Sequence, residues 1–395
     1  MFSHLPTPEQ DPILSLMAAY RDDPRSEKVD LGIGVYKNSQ GETPIMQAIQ
    51  RAQVKVKESE TTKSYIGLTG SELFNQQMTE LLLAGTSAMS RVSAIQTPGA
   101  SGALRMLGDL IAVAQPGTTV WLSNPSYINH QPVMEAAGLN VKHYRYFSPA
   151  TKQVDTDLML ADISNAGPND VVLLHGCCHN PTGADIDFDT WKTITELSQK
   201  NGFTPFVDIA YQGFGDGLEE DAKGLRFMAD NLEEMFIATS CSKNFGLYRE
   251  RTGAAIVVGK KQSDTVNAKG QLLKLARSTY TMPPAHGAAL VSAILDDAEL
   301  TTMWKQELSE MQQRLVSLRH KLCEELRTVH KTQQFDFIES HKGMFTVLGF
   351  SREQMQSLNQ QFGIYGVGDG RINIAGLKES DISYVANAIV NVATD

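Results

Sequence analysis

Cysteine is scarce in this chain: Cys177, Cys178, Cys241 and Cys323 are the four among 395 residues. So few, two of them adjacent, exclude a disulfide framework and fit a reducing compartment. Long apolar runs are also missing. The longest, such as "AAIVV", fall far short of the ~20 residues a membrane helix needs. There is no basic excess: 35 Lys and Arg face 45 Asp and Glu, a net charge of -10. An acidic chain repels phosphate backbones, which excludes nucleic acid as an expected partner. The opening "MFSHLPTPEQDPIL" has neither the basic nor the apolar region of a signal peptide. The fingerprints G-x-G-x-x-G and G-x-x-x-x-G-K-[ST] are absent, which disfavours a nicotinamide dehydrogenase or a P-loop enzyme. Internal repeats and low-complexity linkers are absent too. The expectation is a soluble cytoplasmic protein too long for a single simple core.

What is present is a series of short apolar runs alternating with helical patterns. "TVWL" (119–122), "VVLL" (171–174), "PFV" (205–207), "FIA" (236–238) and "GAAIVVG" (253–259) read as buried strands. Segments such as "DFDTWKTITELSQKNG", acidic at the start and closed by glycine, read as helices between them. The pattern predicts an α/β fold, a mostly parallel sheet with helices on both faces. Later, from Ala298, apolar residues recur at helical spacing. "FDFIE" and "MFTVLGF" then read as strands, "SREQMQSLNQQFG" as a helix and "RINIAG" as an edge strand. This predicts a large domain over 45–300 and a smaller α+β domain from 1–44 and 301–395.

Polar segments follow four of the strands: "SNPSYINH", "HGCCHNPTG", "DIAYQGF" and "TSCSKNFG". Ligands of open α/β sheets bind beyond the strands' carboxyl ends, so these segments are expected on one rim. A glycine-rich turn before a helix, "TPGASGALRMLGDLIAVA", offers Gly99, Ala100 and Ser101 as a phosphate cup, or Ser101 as a plain helix cap. Asp208 ends an apolar strand, where a charge needs a partner. It serves either a structural pair or a protonated ring nitrogen, with Tyr211 three residues on. His175, Cys177, Cys178 and His179 are badly spaced for zinc, and neighbours in an extended chain point opposite ways, so no metal is expected. Arg277 and Arg371 are candidate carboxylate clamps or ordinary surface arginines. Lys243 in "SCSKNFG" is locally ambiguous between a surface amine and a held nucleophile.

"NPTG", "DIAYQGF", "SKNFGLYRERTG" and "PPAHG", in this order and spacing, resemble class I, fold type I aminotransferases of the aspartate/aromatic amino acid subgroup. The resemblance runs from "DPIL" to "GRINIAG", nearly the whole chain. It implies a pyridoxal 5'-phosphate enzyme, homodimeric with shared active sites, a large cofactor domain, a small domain and an N-terminal arm on the partner. By resemblance, Lys243 would bind the cofactor covalently and Asp208 would hold its ring nitrogen. Asn180 and Tyr211 would bond its ring hydroxyl. Gly99, Ala100, Ser101, Ser240, Ser242 and Arg251 would take the phosphate, with Tyr65 reaching across from the partner. Arg371 would grip the substrate's α-carboxylate, Gly34 would contact the substrate by its backbone, Arg277 would grip the distal carboxylate, and His130 and His175 would support Asp208. Tyr127 stands where the family usually stacks a tryptophan, and Ala100 where it usually has a second glycine. Lys37 and Thr43 resemble aspartate-preferring members, Ser101 the aromatic ones, and Ser64 and Met282 neither. The expected reaction is ping-pong amino transfer from L-aspartate to 2-oxoglutarate, with side activity on Phe and Tyr. An aromatic aminotransferase is the alternative. A lyase, a decarboxylase or a non-enzymatic regulator on the same fold is disfavoured.

Overall fold

The structure is a computed structural model describing residues 2–7 and 11–394. Residues 1, 8–10 and 395, which fall in the expected N-terminal arm and at the C-terminus, lie outside the described residues. In chain order the strands are β1 (Val29–Asp30), β2 (Val92–Pro98), β3 (Thr119–Asn124), β4 (Asn140–Arg145), β5 (Asp170–His175) and β6 (Thr204–Ile209). They continue as β7 (Met235–Ser240), β8 (Thr252–Val258), β9 (Phe345–Val347), β10 (Ile364–Tyr365) and β11 (Arg371–Asn373). Two compact units divide the chain. The larger comprises Pro44–Arg314 and His341–Gly343; the smaller comprises the chain up to Thr43, Leu315–Ser340 and the chain from Met344 on. The second division thus falls at Arg314, later than residue 300, because the start of helix Ala298–His330 packs with the large unit. Its Trp304 stacks on Phe245 with ring centroids 4.3 Å apart and donates Nε1–H to the Asn244 carbonyl at 2.7 Å.

The large unit is built on a seven-stranded sheet in the order β2-β8-β7-β6-β5-β3-β4. Strands β4, β3, β5, β6 and β7 are parallel, while β8 runs antiparallel to both β7 and β2. Two reversals restore direction, so β2 ends on the same rim as the parallel strands. That places the glycine-rich turn after β2 beside the polar segments after β3, β5, β6 and β7. Helix Gly99–Ala114 follows the turn and buries Leu104, Leu107, Leu110 and Ile111 against Ile95, Val120, Leu122 and Phe206. Each fully buried aliphatic side chain contributes about 1.5–3 kcal/mol.

The small unit has two short two-stranded sheets, β1 with β10 parallel and β9 with β11 antiparallel. Its core gathers Leu318, Leu322 and Leu326 of the long helix with Phe335, Ile338, Ile372 and Ile389. "FDFIE" is no strand: Phe337–Ser340 is a helical turn. Its buried residues, Phe335 and Ile338, are three apart, which is helical spacing. Arg319, buried in this core, donates to the carbonyls of Ile338 and Phe345 at 3.1 and 2.7 Å, tying the turn to β9. "RINIAG" is strand only through Asn373 and then tightens into a 3-10 turn, Ile374–Gly376.

The rim turn also settles the alanine at position 100. Gly99 has φ +70°, the left-handed region, whereas Ala100 takes ordinary helical angles in the first turn of Gly99–Ala114. Pro98 caps that helix without a side-chain bond, so Ser101 is not the cap. The glycine that this turn requires is therefore the first one. Gly99→Ala is expected to destabilise by about 1–2 kcal/mol. Ala100→Gly is expected to cost about 0.5–1 kcal/mol rather than relieve strain. Trp304→Phe removes the bond to the Asn244 carbonyl and should cost about 1–3 kcal/mol. Urea unfolding midpoints of the three variants against wild type check all three signs.

Candidate active site

Five rim segments converge on a pocket of about 200 Å³ in the large unit. Among its lining residues, Ala100 and Ser101 come from the turn after β2, and Tyr127 from the loop after β3. Asn180 comes from the loop after β5, Asp208 and Tyr211 from the end of β6 and beyond, and Ser240, Ser242 and Lys243 from the end of β7 and beyond. Arg251 enters from the residue before β8.

Asp208 is buried, and its Oδ2 accepts from Nε2 of His130 at 2.8 Å. His130 opens helix His130–Ala136, and its Nδ1 lies 2.9 Å from the Ser126 hydroxyl and 3.4 Å from Nε2 of His175. Sheet register places His175 of β5 directly beside Asp208 of β6. Both His175 and His179 are pushed well below the usual histidine range, by burial first and by neighbouring histidines second, so both are neutral. The neutral rings stack in sequence: His175 on His179 with centroids 4.1 Å apart, and His179 on Tyr146 at 4.0 Å. His179 also lies 3.0 Å from the Ser123 hydroxyl and 2.8 Å from that of Thr182. The other Asp208 oxygen, Oδ1, is buried and has no hydrogen-bond partner among the described residues. A buried acceptor left so costs roughly 1–3 kcal/mol, and more for a charge. It marks a place for a donor that the protein does not supply.

Lys243 sits on the same pocket, its Nζ 5.0 Å from the centre of the Tyr211 ring. Burial pulls its ammonium down to about 8, Asp208 works against the shift and Arg251 adds to it. Opposite lies a cradle for an anion. The Ser240 hydroxyl accepts from the Ser242 amide at 3.0 Å, and Arg251 donates to the Ser242 hydroxyl at 3.4 Å and to the Tyr248 carbonyl at 2.9 Å. Arg251 holds φ +51°, an uncommon conformation outside glycine. A Cβ on Gly99 would stand 2.7 Å from its guanidinium. A Cβ on Gly253 would meet backbone atoms of Gly99 and Ala100 at 2.6 and 3.0 Å, so only glycine lets β8 approach the turn this closely. Tyr127 is bonded by Asn129 at 3.0 Å, and burial raises its hydroxyl.

Asn180 is presented by a loop that Asp185 shapes from within, accepting from the amides of Cys178 and His179 at 2.7 and 2.8 Å. The Asn180 amide reaches Nδ1 of His175 at 3.3 Å. Tyr65 and Arg277 are not among the lining residues. Tyr65 is 90% exposed and Arg277 is exposed near the end of helix Gln262–Thr279. Gly34 and Arg371 belong to the small unit. There Arg371 lays its guanidinium 4.5 Å from the Phe345 ring centre and donates to the Gly32 carbonyl at 3.2 Å. A Cβ on Gly34 would touch the same ring at 3.0 Å.

Sequence reasoning passed over Ser126, Tyr248, Cys177 and Cys178 as parts of this region. The i, i+4 spacing of Ser126 and His130 was a usable signal; the backbone twist that turns both cysteines inward was not.

The residues fit a phosphorylated, ring-nitrogen ligand: a lone carboxylate oxygen for a protonated nitrogen, an amine poised near neutrality, and a serine–arginine cradle for a dianion. The family model for aminotransferase class I and II matches residues 26–389. The chain is 45% identical to an aromatic-amino-acid aminotransferase of Paracoccus denitrificans, over 99% of this chain and 100% of that one. It is 41% identical to an aspartate aminotransferase of Escherichia coli, with the same coverage. A crystal structure of an aromatic-amino-acid aminotransferase from Burkholderia pseudomallei covalently bound to pyridoxal phosphate superposes with TM-score 0.97, at 36% identity and 99% coverage of both chains. A rim that gathers these groups and a match along nearly the full length agree, and the chain belongs to the class I and II aminotransferases.

Proposed function

We propose that this aminotransferase works through pyridoxal 5'-phosphate held in the rim pocket and moves amino groups between amino acids and 2-oxoglutarate. The observation that carries the reading is the partnerless Oδ1 of Asp208 sharing one pocket with Lys243. Bound there, the cofactor supplies a carbonyl that takes up the amino group and a ring that withdraws electrons from the substrate's Cα. Asp208 holds the ring nitrogen protonated, and His130 keeps that carboxylate in place. Asn180 and Tyr211 bond the ring hydroxyl, and Tyr127 covers a ring face. Ser101, Ser240, Ser242 and Arg251 bind the phosphate. Lys243 holds the cofactor between turnovers. Its amine, when neutral, would carry the proton from and to the substrate's Cα.

Arg371 and Gly34 receive the α-carboxylate. Tyr65 and Arg277 serve the site of a partner copy in a homodimer, which their exposure supports. The segment after Tyr65 meets the segment after helix Gln262–Thr279, where the amide of Ile66 donates to the Met282 sulfur at 3.2 Å. L-Aspartate is the donor we favour, because a charge-assisted bond of about 1.5–3 kcal/mol at Arg277 rewards a dicarboxylate. A second reading, an aromatic amino acid as main donor, is supported by the 45% identity to an aromatic-amino-acid aminotransferase.

Lys243→Ala should abolish the pH-sensitive yellow absorption of lysine-bound cofactor and lower transamination by at least about 10²–10⁴-fold. An unchanged spectrum would refute the lysine's assignment. Only a neutral amine attacks a carbonyl. Because Lys243 is held at about 8 in place of 10.5, recombination of cofactor-free enzyme with pyridoxal phosphate should accelerate with pH and level off above about 8. Asp208→Asn removes a charge that raises this group, so the midpoint should move down.

For substrate choice, kcat/KM for aspartate should exceed that for phenylalanine. Arg277→Ala should reduce the aspartate value by about 10–100-fold while leaving the phenylalanine value within a few-fold. A wild type that prefers phenylalanine would establish the second reading.

A further inference from the structure

Behind the loop that presents Asn180 lies a second cavity of about 270 Å³, lined in part by Cys177, Asp185, Asp187, Asp216, Glu220 and Asp221. Its lysines are already engaged, Lys342 with Asp216 and Lys223 with Glu220 at 3.9 Å. The remaining carboxylates, Asp185, Asp187 and Asp221, leave the cavity negative and favourable to a cation.

Cys177 and Asp221 line this cavity and Cys178 follows in the chain; the two sulfurs and a carboxylate oxygen of Asp221 lie within 4.8 Å of one another, all three residues buried. Neighbouring residues of an extended chain would face opposite ways. Here Cys178 takes φ +52°, and the two sulfurs of this adjacent pair lie within 4.8 Å of each other. That conformation costs about 1–2 kcal/mol outside glycine and persists where the surroundings enforce it. Two features enforce it: Asp185 accepts the Cys178 amide, and Gly343 packs so closely that a Cβ there would fall 2.4 Å from the Cys178 Cβ. Asp221 is fixed as firmly, its oxygens accepting from the amides of Gly213, Gly215 and Asp216 at 2.8–2.9 Å. Three soft and hard donors are thus pre-placed on rigid supports, two of them on the lining of the cavity.

We propose that Cys177, Cys178 and Asp221 form a binding site for a thiophilic divalent cation such as Zn²⁺, entered through the acidic cavity, on a loop whose two cysteines also line the cofactor pocket. Two thiolates and a carboxylate suit a tetrahedral zinc ion with one exchangeable position. Binding replaces both thiol protons, which leave to solvent, so the sulfurs remain at the same oxidation level throughout. Of the other cysteines, Cys241 packs on the Met78 sulfur at 3.7 Å, and Cys323 lies in the core of the small unit.

The test uses reduced holoenzyme, stripped with chelator, freed of reductant under argon and dialysed against zinc chloride. We expect about one zinc per chain. X-ray absorption of the zinc-loaded wild type should give two sulfur neighbours near ~2.3 Å and lighter N or O neighbours. The Cys177→Ala/Cys178→Ala double variant should bind more than about tenfold more weakly, with Asp221→Asn weakened to a lesser degree. Zinc retained equally by the double variant, or a first shell without sulfur, overturns the site. If the double variant does not fold, the wild-type shell decides alone: two sulfurs support the assignment, and any other sulfur count, or no bound zinc, rejects it.

Discussion

A carboxylate at the end of a buried strand governs this molecule. Asp208 has one oxygen engaged by His130 and the other without a partner. Burying a charge costs several kcal/mol unless pairing and hydrogen bonds offset it. The large unit offsets half. It aligns His130 through the Ser126 hydroxyl and backs it with His175, which burial keeps neutral. The other half is left to a donor from outside. A ligand that provides one binds the folded state alone, and its binding free energy adds to the enzyme's stability. The same carboxylate raises Lys243 against the burial that lowers it, so the amine rests within reach of neutral pH instead of being either locked as a cation or lost as one. Acid, amine and open acceptor are one balance, and changing any member moves the others.

That balance requires five chain segments to meet, and the sheet topology brings them. The parallel strands β3, β5, β6 and β7 deliver their carboxyl ends to one rim. The anion cradle comes from outside that series. It depends on β8 reversing twice the direction between β7 and β2, and on Gly253 letting β8 approach the Gly99 turn. Arg251, at the residue where β8 begins, then sits against both the turn and the Ser240–Ser242 segment. A cradle made of two helix-side hydroxyls would be weaker; the guanidinium adds charge-assisted, directional donors.

Most of this was legible in the chain. Strands β3, β5, β6, β7 and β8 are continuous apolar runs, as strands covered on both faces must be, and periodicity finds them directly. Strands β2 and β4 are different. "VSAIQTP" carries polar residues whose partners lie in other segments, as Gln96 bonds the Ser71 amide and the Pro284 carbonyl. "NVKHYR" is a half-exposed edge. Neither pattern stands out before the fold is known. Phe335 and Ile338 misled for the opposite reason, since a short apolar cluster fits two periods and only Arg319, sixteen residues or more away in sequence, selects the helical one. In the site, Lys243, Asp208 and Asn180 could be placed because each lies at or beyond the carboxyl end of a strand. The role of Ala100 could not, because the choice between left-handed and helical angles belongs to Gly99 and to the approach of β8.

The adjacent cysteines show where alternation fails as a guide. The rule that neighbouring side chains diverge assumes an extended backbone, and it separates Cys177 from Cys178 on paper. One left-handed residue cancels it. Asp185 draws two successive amides, those of Cys178 and His179, onto one carboxylate, which bends the chain and turns both sulfurs to the same side. The bend that converges the thiols on Asp221 is also the bend that turns the chain toward Asn180 at the cofactor pocket. A loop shaped for one purpose thereby acquires a second face. Asp185 holds the loop's amides and Asp221 those of Gly213, Gly215 and Asp216, so backbone hydrogen bonds fix the supports of the donor set.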